Sequence, residues 1–410
     1  MRILKTTQTY YPYLSKGGPP AKVRAIAKAL AQRGHDITVL TADRGERDGE
    51  TKLSELKDWK RTPSAWGWEA RDNGVNAIYL PTTQNYRATT FNPRMLRFFS
   101  ERLREFDAVH IYGLYDLIGS AAGWYCRRYG IPYVLEPLGM FGPKIRSRQK
   151  KRLYRTLIGN ALFMGGQAII ATSETEREEL REGGISSDKL VLRRNGIDLS
   201  EFNSLPARGA FRKRLGLDDA TRLIVFLGRL SFIKGLDHLV KAFARLETDA
   251  HMVIAGPDDH DGCARTVRAL IAEFDLGQRV TLTGPLYEQD KLEALVDADV
   301  FVLPSRYESF GNAAAEAIAC GTPVLVTDRC GIAPLVSGKA GLAVSYDVAA
   351  LHKGISQLLD DAQLSIKLRS GCAAVANDLS WDGPIRELES LYATLRPAKV
   401  AVGRQRWQNV

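Results

Sequence analysis

Two glutamates eight residues apart bracket a helix start. Residues 303–316 read Leu-Pro-Ser-Arg-Tyr-Glu-Ser-Phe-Gly-Asn-Ala-Ala-Ala-Glu, with Glu308 and Glu316 at the two ends of the interval. Ser309-Phe310-Gly311-Asn312 suits a loop with a capping residue, and Ala313-Ala314-Ala315 suits a first helical turn. One carboxylate then precedes the helix and the other lies about a turn inside it, where the positive helix end favours the ionised form of both. Backbone N–H groups from Phe310 to Ala313 are free to bind phosphate or hydroxyl oxygens. Two ionised carboxylates accept hydrogen bonds from paired hydroxyls, as a ribose and a hexose present them. Ordinary capping of a solvated helix would use the same residues.

A second group is cationic. Gly228-Arg229-Leu230-Ser231-Phe232-Ile233-Lys234-Gly235 follows an apolar run, which puts Arg229 at a strand end and Lys234 just before a helix. Two cations and a helix start are able to hold a diphosphate; a solvated pair of loop charges reads the same way. Gly17-Gly18 falls in the loop after the first apolar run, ahead of a helix expected from about Ala21 to Arg33 and ended by Gly34. Glycines let backbone approach a phosphate there, or simply serve the turn. Neither G-x-G-x-x-G nor a P-loop G-K-[ST] is present, which counts against dehydrogenases and nucleoside triphosphatases.

These residues need a scaffold, and the chain supplies one. Short apolar runs at 2–7, 36–41, 75–81, 107–113, 132–137 and 168–173, then 223–228, 252–256, 280–284, 299–305 and 323–327, lack polar alternation. Runs of that kind are buried parallel strands covered by helices on both faces. Between them lie helical patterns such as Leu236, Leu239, Val240, Phe243 and Leu246. The architecture expected is two consecutive doubly wound α/β domains, 1–200 and 205–378, with a polar, Pro-containing junction near 199–208. At 410 residues and 45% hydrophobic content there is material for two cores, so disorder is excluded as the main state. Residues 43–73 read as a long polar insertion with Trp59, Trp66 and Trp68, and the tail 397–410 as short and basic.

Cys126, Cys263, Cys320, Cys330 and Cys372 are an odd number without close pairing, which argues for a reducing cytoplasmic setting over a disulfide scaffold. The opening residues lack an apolar signal core, and no stretch of about 18 uncharged apolar residues exists. Residues 1–200 hold 33 Lys and Arg against 21 Asp and Glu, and the remainder holds 24 against 26. The basic excess therefore lies wholly in the first half, which suits an anionic membrane face, an anionic acceptor or nucleic acid.

Taken in order, these segments resemble the retaining glycosyltransferases of family 4 over nearly the whole chain. The resemblance rests on the Gly17-Gly18 loop, Gly34-His35-Asp36-Ile37-Thr38-Val39, Asn195-Gly196-Ile197-Asp198, the Arg229/Lys234 pair, the E-x7-E pair, Cys320-Gly321-Thr322-Pro323-Val324, and Ser380-Trp381 before a last helix. It implies the GT-B fold, two Rossmann-like domains facing across a cleft, with a C-terminal helix (about 381–396) crossing back to the first. The first domain would be the acceptor side and the second would bind a nucleotide-sugar donor. Arg229 and Lys234 would bind the donor diphosphate and stabilise the leaving group. Glu316 would hold the ribose hydroxyls, while Glu308 and the amides from Ser309 to Ala313 would hold the donor sugar and phosphate. Gly17 and Gly18 would close over the diphosphate, Leu286 would contact the nucleobase, and His110 would lie near the donor sugar, catalytic together with Arg229, Lys234 and Glu308, with Tyr112 on the acceptor side. No bound cofactor and no metal are implied; the donor would be a UDP- or GDP-sugar.

The chain departs from the family pattern in places. Relatives often read H-x-H where this chain has His110-Ile111-Tyr112, H-G where it has Leu138-Gly139, and a glutamate near Gly331 where it offers Ala333 and Pro334. Asp259-His260-Asp261 and Asp297-Ala298-Asp299 spell D-x-D, but their context is a polar loop and a strand start, so both read as structural. The basic stretch 144–155 and Arg94, Arg97, Arg102 and Arg104, interleaved with apolar residues, suit peripheral docking on an anionic membrane or a solvated helix face. No nucleic-acid motif accompanies the charge. The function expected is sugar transfer to a glycan or lipid-linked acceptor in surface polysaccharide or lipopolysaccharide assembly. A nucleotide-sugar epimerase of the same fold, or a non-catalytic sugar-nucleotide-binding module, are the alternatives.

Overall fold

The computed structural model describes residues 1–13, 18–43, 53, 60–86, 89–141, 159–218 and 220–397. The chain divides into two compact units, Met1–Arg194 with Pro384–Val410, and Asn195–Gly383. Trp59, the basic stretch 144–155 and most of the tail lie outside the described residues.

The first unit contains β1 (Arg2–Thr6), β2 (Asp36–Ala42), β3 (Thr62–Ser64), β4 (Gly67–Asp72), β5 (Val75–Leu80), the hairpin β6 (Gln84–Tyr86) and β7 (Thr89–Phe91), β8 (Ala108–Tyr112), β9 (Tyr133–Glu136), β10 (Ala168–Ala171) and β11 (Leu190–Leu192). All but the hairpin form one sheet in the order β11-β10-β9-β8-β1-β2-β5-β4-β3. Pairing is parallel from β11 to β5. It turns antiparallel at the β5–β4–β3 edge. The stretch read as a polar insertion thus ends in strands β3 and β4. Its first part is largely outside the described residues, although Leu53 is buried. Residues such as Leu4, Leu40, Ile78, Phe98, Val109, Ile111, Leu135 and Ile169 build the core. Fully apolar strands need cover on both faces, and helices Gly18–Gln32, Arg94–Arg102 and Leu117–Tyr129 are among those that supply it.

The second unit contains β12 (Arg222–Leu227), β13 (Ala250–Ala255), β14 (Val280–Gly284), β15 (Val300–Leu303), β16 (Val324–Thr327) and β17 (Gly341–Val344). They form an all-parallel sheet in the order β14-β13-β12-β15-β16-β17. Helix Leu236–Phe243 lies where the 3.6-residue spacing places it, with Leu236, Leu239, Val240 and Phe243 buried. The unit closes where Ile197 bridges Ser380 and helix Asp382–Thr394 begins.

Candidate functional site

In the second sheet β12 has β13 on one side and β15 on the other, so the strand order reverses there. Doubly wound sheets bind ligands outside the carboxyl ends of their strands at such a switch point. Both cations and Glu308 come from the two loops that leave it. After β12 the backbone is zipped to the loop after β13: Gly228 N donates to Ala255 O (2.9 Å), Leu230 N to Pro257 O (2.8 Å) and Asp259 N to Leu230 O (3.2 Å). The approach is so close that a Cβ on Gly256 would stand 1.8 Å from Gly228 O. This pairing sets Asp259 Oδ1 2.7 Å from Arg229 Nη1. The loop then makes a tight turn, Phe232–Lys234, and passes Gly235 at φ +67, where a Cβ would meet Pro304 O at 2.1 Å. The backbone of Lys234 is thereby held against the end of β15, and Arg306 N donates to Ile233 O (2.8 Å). Lys234 Nζ forms an ion pair with Glu308 Oε2, both side chains being less than a fifth exposed.

Glu308 is held from its other side. Its N–H donates to Arg329 O (3.2 Å), its carbonyl accepts from Gly331 N (2.9 Å), and Phe310 O accepts from Ile332 N (2.8 Å). The helix Asn312–Ala319 follows. Its cap is Gly311 at φ +116, without a side-chain bond, so Asn312 is the first helical residue and not the cap that the sequence suggested. A side chain at Gly311 would crowd Ile332 and Leu303, each 3.1 Å away. Phe310 is buried in the core, while Ser309, Asn312 and Ala313 remain part-exposed. Glu316, about a turn inside the helix, pairs with Lys291 at 2.9 Å. Leu286 lies just beyond β14, part-buried against the same core.

The D-x-D carboxylates are occupied within the fold. Asp261 accepts from Phe232 N and Cys263 N, both at 3.0 Å. Asp297 accepts from Gly209 N and Arg212 N, and Asp299 from Leu223 N and from Arg208 and Arg212. Among the described residues, no three His, Cys, Asp or Glu are grouped to hold a metal ion.

In the first unit, Gly17 lies outside the described residues, and Gly18 is the first residue of its helix, which starts earlier than expected. His110 and Tyr112 differ more from the sequence reading. Strand β8 runs on to Tyr112 with His110 inside it, and the two rings are 0% and 1% exposed. Neither presents a surface to a substrate in this structure. The register explains why. Lys5 pairs with His110, and Tyr112 with Glu136, so all four side chains project from one face of the sheet. Tyr392, from the last helix, covers that face: His110 Nδ1 lies 2.7 Å from the Tyr392 hydroxyl, and Lys5 Nζ donates to Tyr112 (2.9 Å) and Tyr392 (3.3 Å).

Glu136 is the hub of this buried set. Lys22 Nζ pairs with its Oε1, Arg193 Nη2 lies 2.7 Å from Oε2, and His110 Nε2 lies 3.4 Å from the same oxygen. Burial favours the neutral acid, but Arg193 and Lys22 hold Glu136 ionised, well below the usual carboxylate range. Burial pulls Lys22 down to about 8 against the pull of Glu136. None of Lys5, Lys22, Glu136, Arg193 or Tyr392 stands out from sequence. The available signal is a charged residue inside otherwise apolar strands, as in Arg-Ile-Leu-Lys-Thr and Tyr-Val-Leu-Glu.

This burial fixes a pH dependence. Burial first, then Lys5, pushes the His110 pKa down to about 3, with Glu136 opposing and Arg193 adding to the fall. Above about 6.5 the ring is neutral in both folded and unfolded chains and contributes nothing. As pH falls from there towards 3, the unfolded chain takes up a proton that the folded one refuses, so stability drops. At pH 4.5 that amounts to about 2–3 kcal/mol at ~1.4 kcal/mol per pK unit. Asp116, whose carboxyl burial lifts to about 6, acts in the opposite direction over part of the window. The comparison of wild type with His110→Gln cancels Asp116. Between pH 6.5 and 4.5 the variant should lose less stability than wild type by that amount, and equal losses would show that His110 titrates normally.

A family model described as glycosyl transferases group 1 matches residues 207–373, and one described as glycosyl transferase 4-like domain matches residues 17–196. A D-inositol 3-phosphate glycosyltransferase of Thermomonospora curvata is 30% identical over 404 residues, covering 92% of this chain and 90% of its own. An alpha-maltose-1-phosphate synthase of Mycobacterium tuberculosis is 31% identical over 278 residues, covering 62% and 70%. Among solved structures, Anabaena HepE in complex with UDP and glucose superposes with a TM-score of 0.75 at 19% identity, over 96% of this chain and all of that one.

Proposed function

The chain belongs to the group 1 glycosyltransferases, enzymes that act on nucleotide-sugar donors, and from that premise we propose that it transfers a sugar from a UDP- or GDP-sugar with retention of configuration and without a metal ion. The observation that carries the reading is the convergence of Arg229, Lys234, Glu308 and the start of helix Asn312–Ala319 outside the switch point of the second sheet. In this reading the second unit binds the donor and the first the acceptor. The departing nucleoside diphosphate carries the developing negative charge, and Arg229, Lys234 and the positive end of the helix stabilise it. Glu308 and the part-exposed Ser309, Asn312 and Ala313 bind the donor sugar and phosphate, Glu316 holds the ribose, and Leu286 borders the base. Gly17 and Gly18 are proposed to approach the diphosphate. His110 and Tyr112 act indirectly, by fixing the first sheet. Glu308 and Glu316 serve as donor ligands, which leaves attack from the departing side within an ion pair as the retaining route.

Two properties support an anionic acceptor. The basic excess of the first half suits a glycan or lipid-linked acceptor of surface polysaccharide or lipopolysaccharide assembly. The names of the relatives, D-inositol 3-phosphate glycosyltransferase and alpha-maltose-1-phosphate synthase, point to phosphorylated acceptors or products. Incubation with UDP- and GDP-sugars in EDTA, with and without inositol phosphate or maltose, tests the reaction. The expected result is an α- or β-linked product matching the donor anomer, formed only with acceptor. Interconversion of donor sugars without acceptor would indicate an epimerase. Activity that vanishes in EDTA and returns with manganese would contradict metal independence.

Peripheral contact with an anionic membrane at its cytoplasmic face belongs to the same proposal. Among the described residues no helix is long and apolar enough to cross a membrane. Leu96 and Trp124 are about half exposed, on helices that also carry Arg94, Arg97, Arg127 and Arg128. At roughly 1 kcal/mol per basic residue near an anionic surface, sedimentation with anionic liposomes should show binding that salt abolishes. Equal recovery with neutral liposomes would remove this part.

A further inference from the structure

Glu316 is not a lone carboxylate. Helix Glu288–Asp297 packs against helix Asn312–Ala319, and from it Lys291 Nζ reaches Glu316 Oε2 at 2.9 Å. Both side chains are about a quarter exposed (24% and 26%), so the pair sits at the surface edge of the unit with water on one side only. Burial works against the lysine charge, yet Glu316 keeps its pKa above the ordinary value, so Lys291 is a cation at neutral pH. The two residues lie on neighbouring helices, far apart in sequence, and the contact is made by tertiary packing alone.

We propose that Lys291 is a positioning residue for donor recognition: it fixes Glu316 through Oε2 and leaves Oε1 to accept from a ribose hydroxyl. The inference rests on the reading of Glu316 as the ribose carboxylate. Two physical effects support it. A glutamate on an exposed helix face samples several rotamers, and an ion pair to one oxygen selects the rotamer that aims the other. A donor also brings a diphosphate, which an uncompensated carboxylate nearby would repel, and Lys291 cancels that charge.

The test uses the full chain with UDP, GDP and ADP, and with the 2′-deoxy and 3′-deoxy forms of whichever binds. Wild type should prefer the ribonucleotide by about tenfold or more, the worth of a hydrogen bond to a charged group. Lys291→Met should weaken ribonucleotide binding by about tenfold and reduce the preference over the deoxy forms to about threefold or less, since Glu316 is then unaimed. Donor KM should rise while kcat changes little, and Lys291→Arg should restore most of the affinity. The effect of Lys291→Met made on top of Glu316→Gln should be much smaller than on wild type, because the two act as one unit. A full ribose preference in Lys291→Met, a fall in kcat without a rise in KM, or additive effects in the double variant would overturn the proposal while leaving Glu316 in place. Wild type that binds a nucleotide with no ribose preference, or binds none, would remove the reading of Glu316 itself and this inference with it. Should Lys291→Met fail to fold, Lys291→Gln, which removes the charge and keeps a polar chain, takes its place in every comparison.

Discussion

Lys234→Ala is expected to lower kcat by about two to three orders of magnitude, the cost of removing one preorganised donor from a developing oxyanion. Lys234 is set by the turn Phe232–Lys234, by Gly235 pressed against Pro304 O, and by its ion pair with Glu308. All three are contacts within the chain, so the ammonium is held in place when charge develops on the departing diphosphate. The substitution also leaves Glu308 without its cation, so the donor meets an uncompensated carboxylate and KM rises as well. Arg229→Ala should cost less. Its side chain is more exposed (41% against 17%) and partly neutralised by Asp259. Steady-state kinetics with saturating donor separate the two, and a Lys234→Ala enzyme with kcat within about threefold of wild type would show that the lysine is a surface charge.

Glu136→Ala should destabilise the first unit by about 3–5 kcal/mol, because it strands buried cations. Glu136 is fully buried and pairs with both Lys22 and Arg193, themselves 5% and 1% exposed. Removing the carboxylate leaves two positive groups facing each other without water. Replacing Glu136 together with its two ion-pair partners by apolar residues of similar volume, Lys22→Met with Glu136→Leu and Arg193→Met, should be far less costly than Glu136→Ala alone, since neither Lys22 nor Arg193 is then left as an unpaired buried cation. Urea midpoints at pH 7 check both, read on the transition of the first unit. A single variant within about 1 kcal/mol of wild type would mean that water reaches the cluster on demand.

Much of the scaffold was legible in the sequence because parallel strands buried on both faces are written as unbroken apolar runs. Each of the runs at 2–7, 36–41, 75–81, 107–113, 132–137 and 168–173 overlaps one of β1, β2, β5, β8, β9 and β10, and those of the second half overlap β12 to β16. The strands that escaped are short or part-exposed. Thr-Pro-Ser in β3 and Gly-Trp-Glu-Ala-Arg-Asp in β4 form an antiparallel edge that water reaches, β11 is three part-buried residues, and β17 is four residues with only the first fully buried. The helix after Gly311 was legible from composition, but its cap was misplaced by one residue. The left-handed glycine, fixed by contact with Ile332 and Leu303, does the work assigned to Asn312.

Around the candidate site, local spacing revealed what lies within one loop or one helix turn. The Arg229–Asp259 and Lys291–Glu316 pairs were out of reach because tertiary packing alone makes them. No local pattern singles out Lys22, Glu136 and Arg193, which meet only because the first helix, β9 and the chain after β11 bring them to one point. His110 was legible as unusual. Its burial was not, since the residue that covers it comes from the other end of the chain.

Donor binding by the second unit through Glu316 and its neighbours is the step on which the proposed reaction depends. Thermal stabilisation by UDP, GDP and ADP, each in EDTA, on wild type and Glu316→Ala tests it most directly, since a ligand bound only by the folded state must raise the apparent melting temperature. The expected result is a shift with UDP or GDP that is lost in the variant. An equal shift in both proteins, or none with any nucleotide, would contradict it.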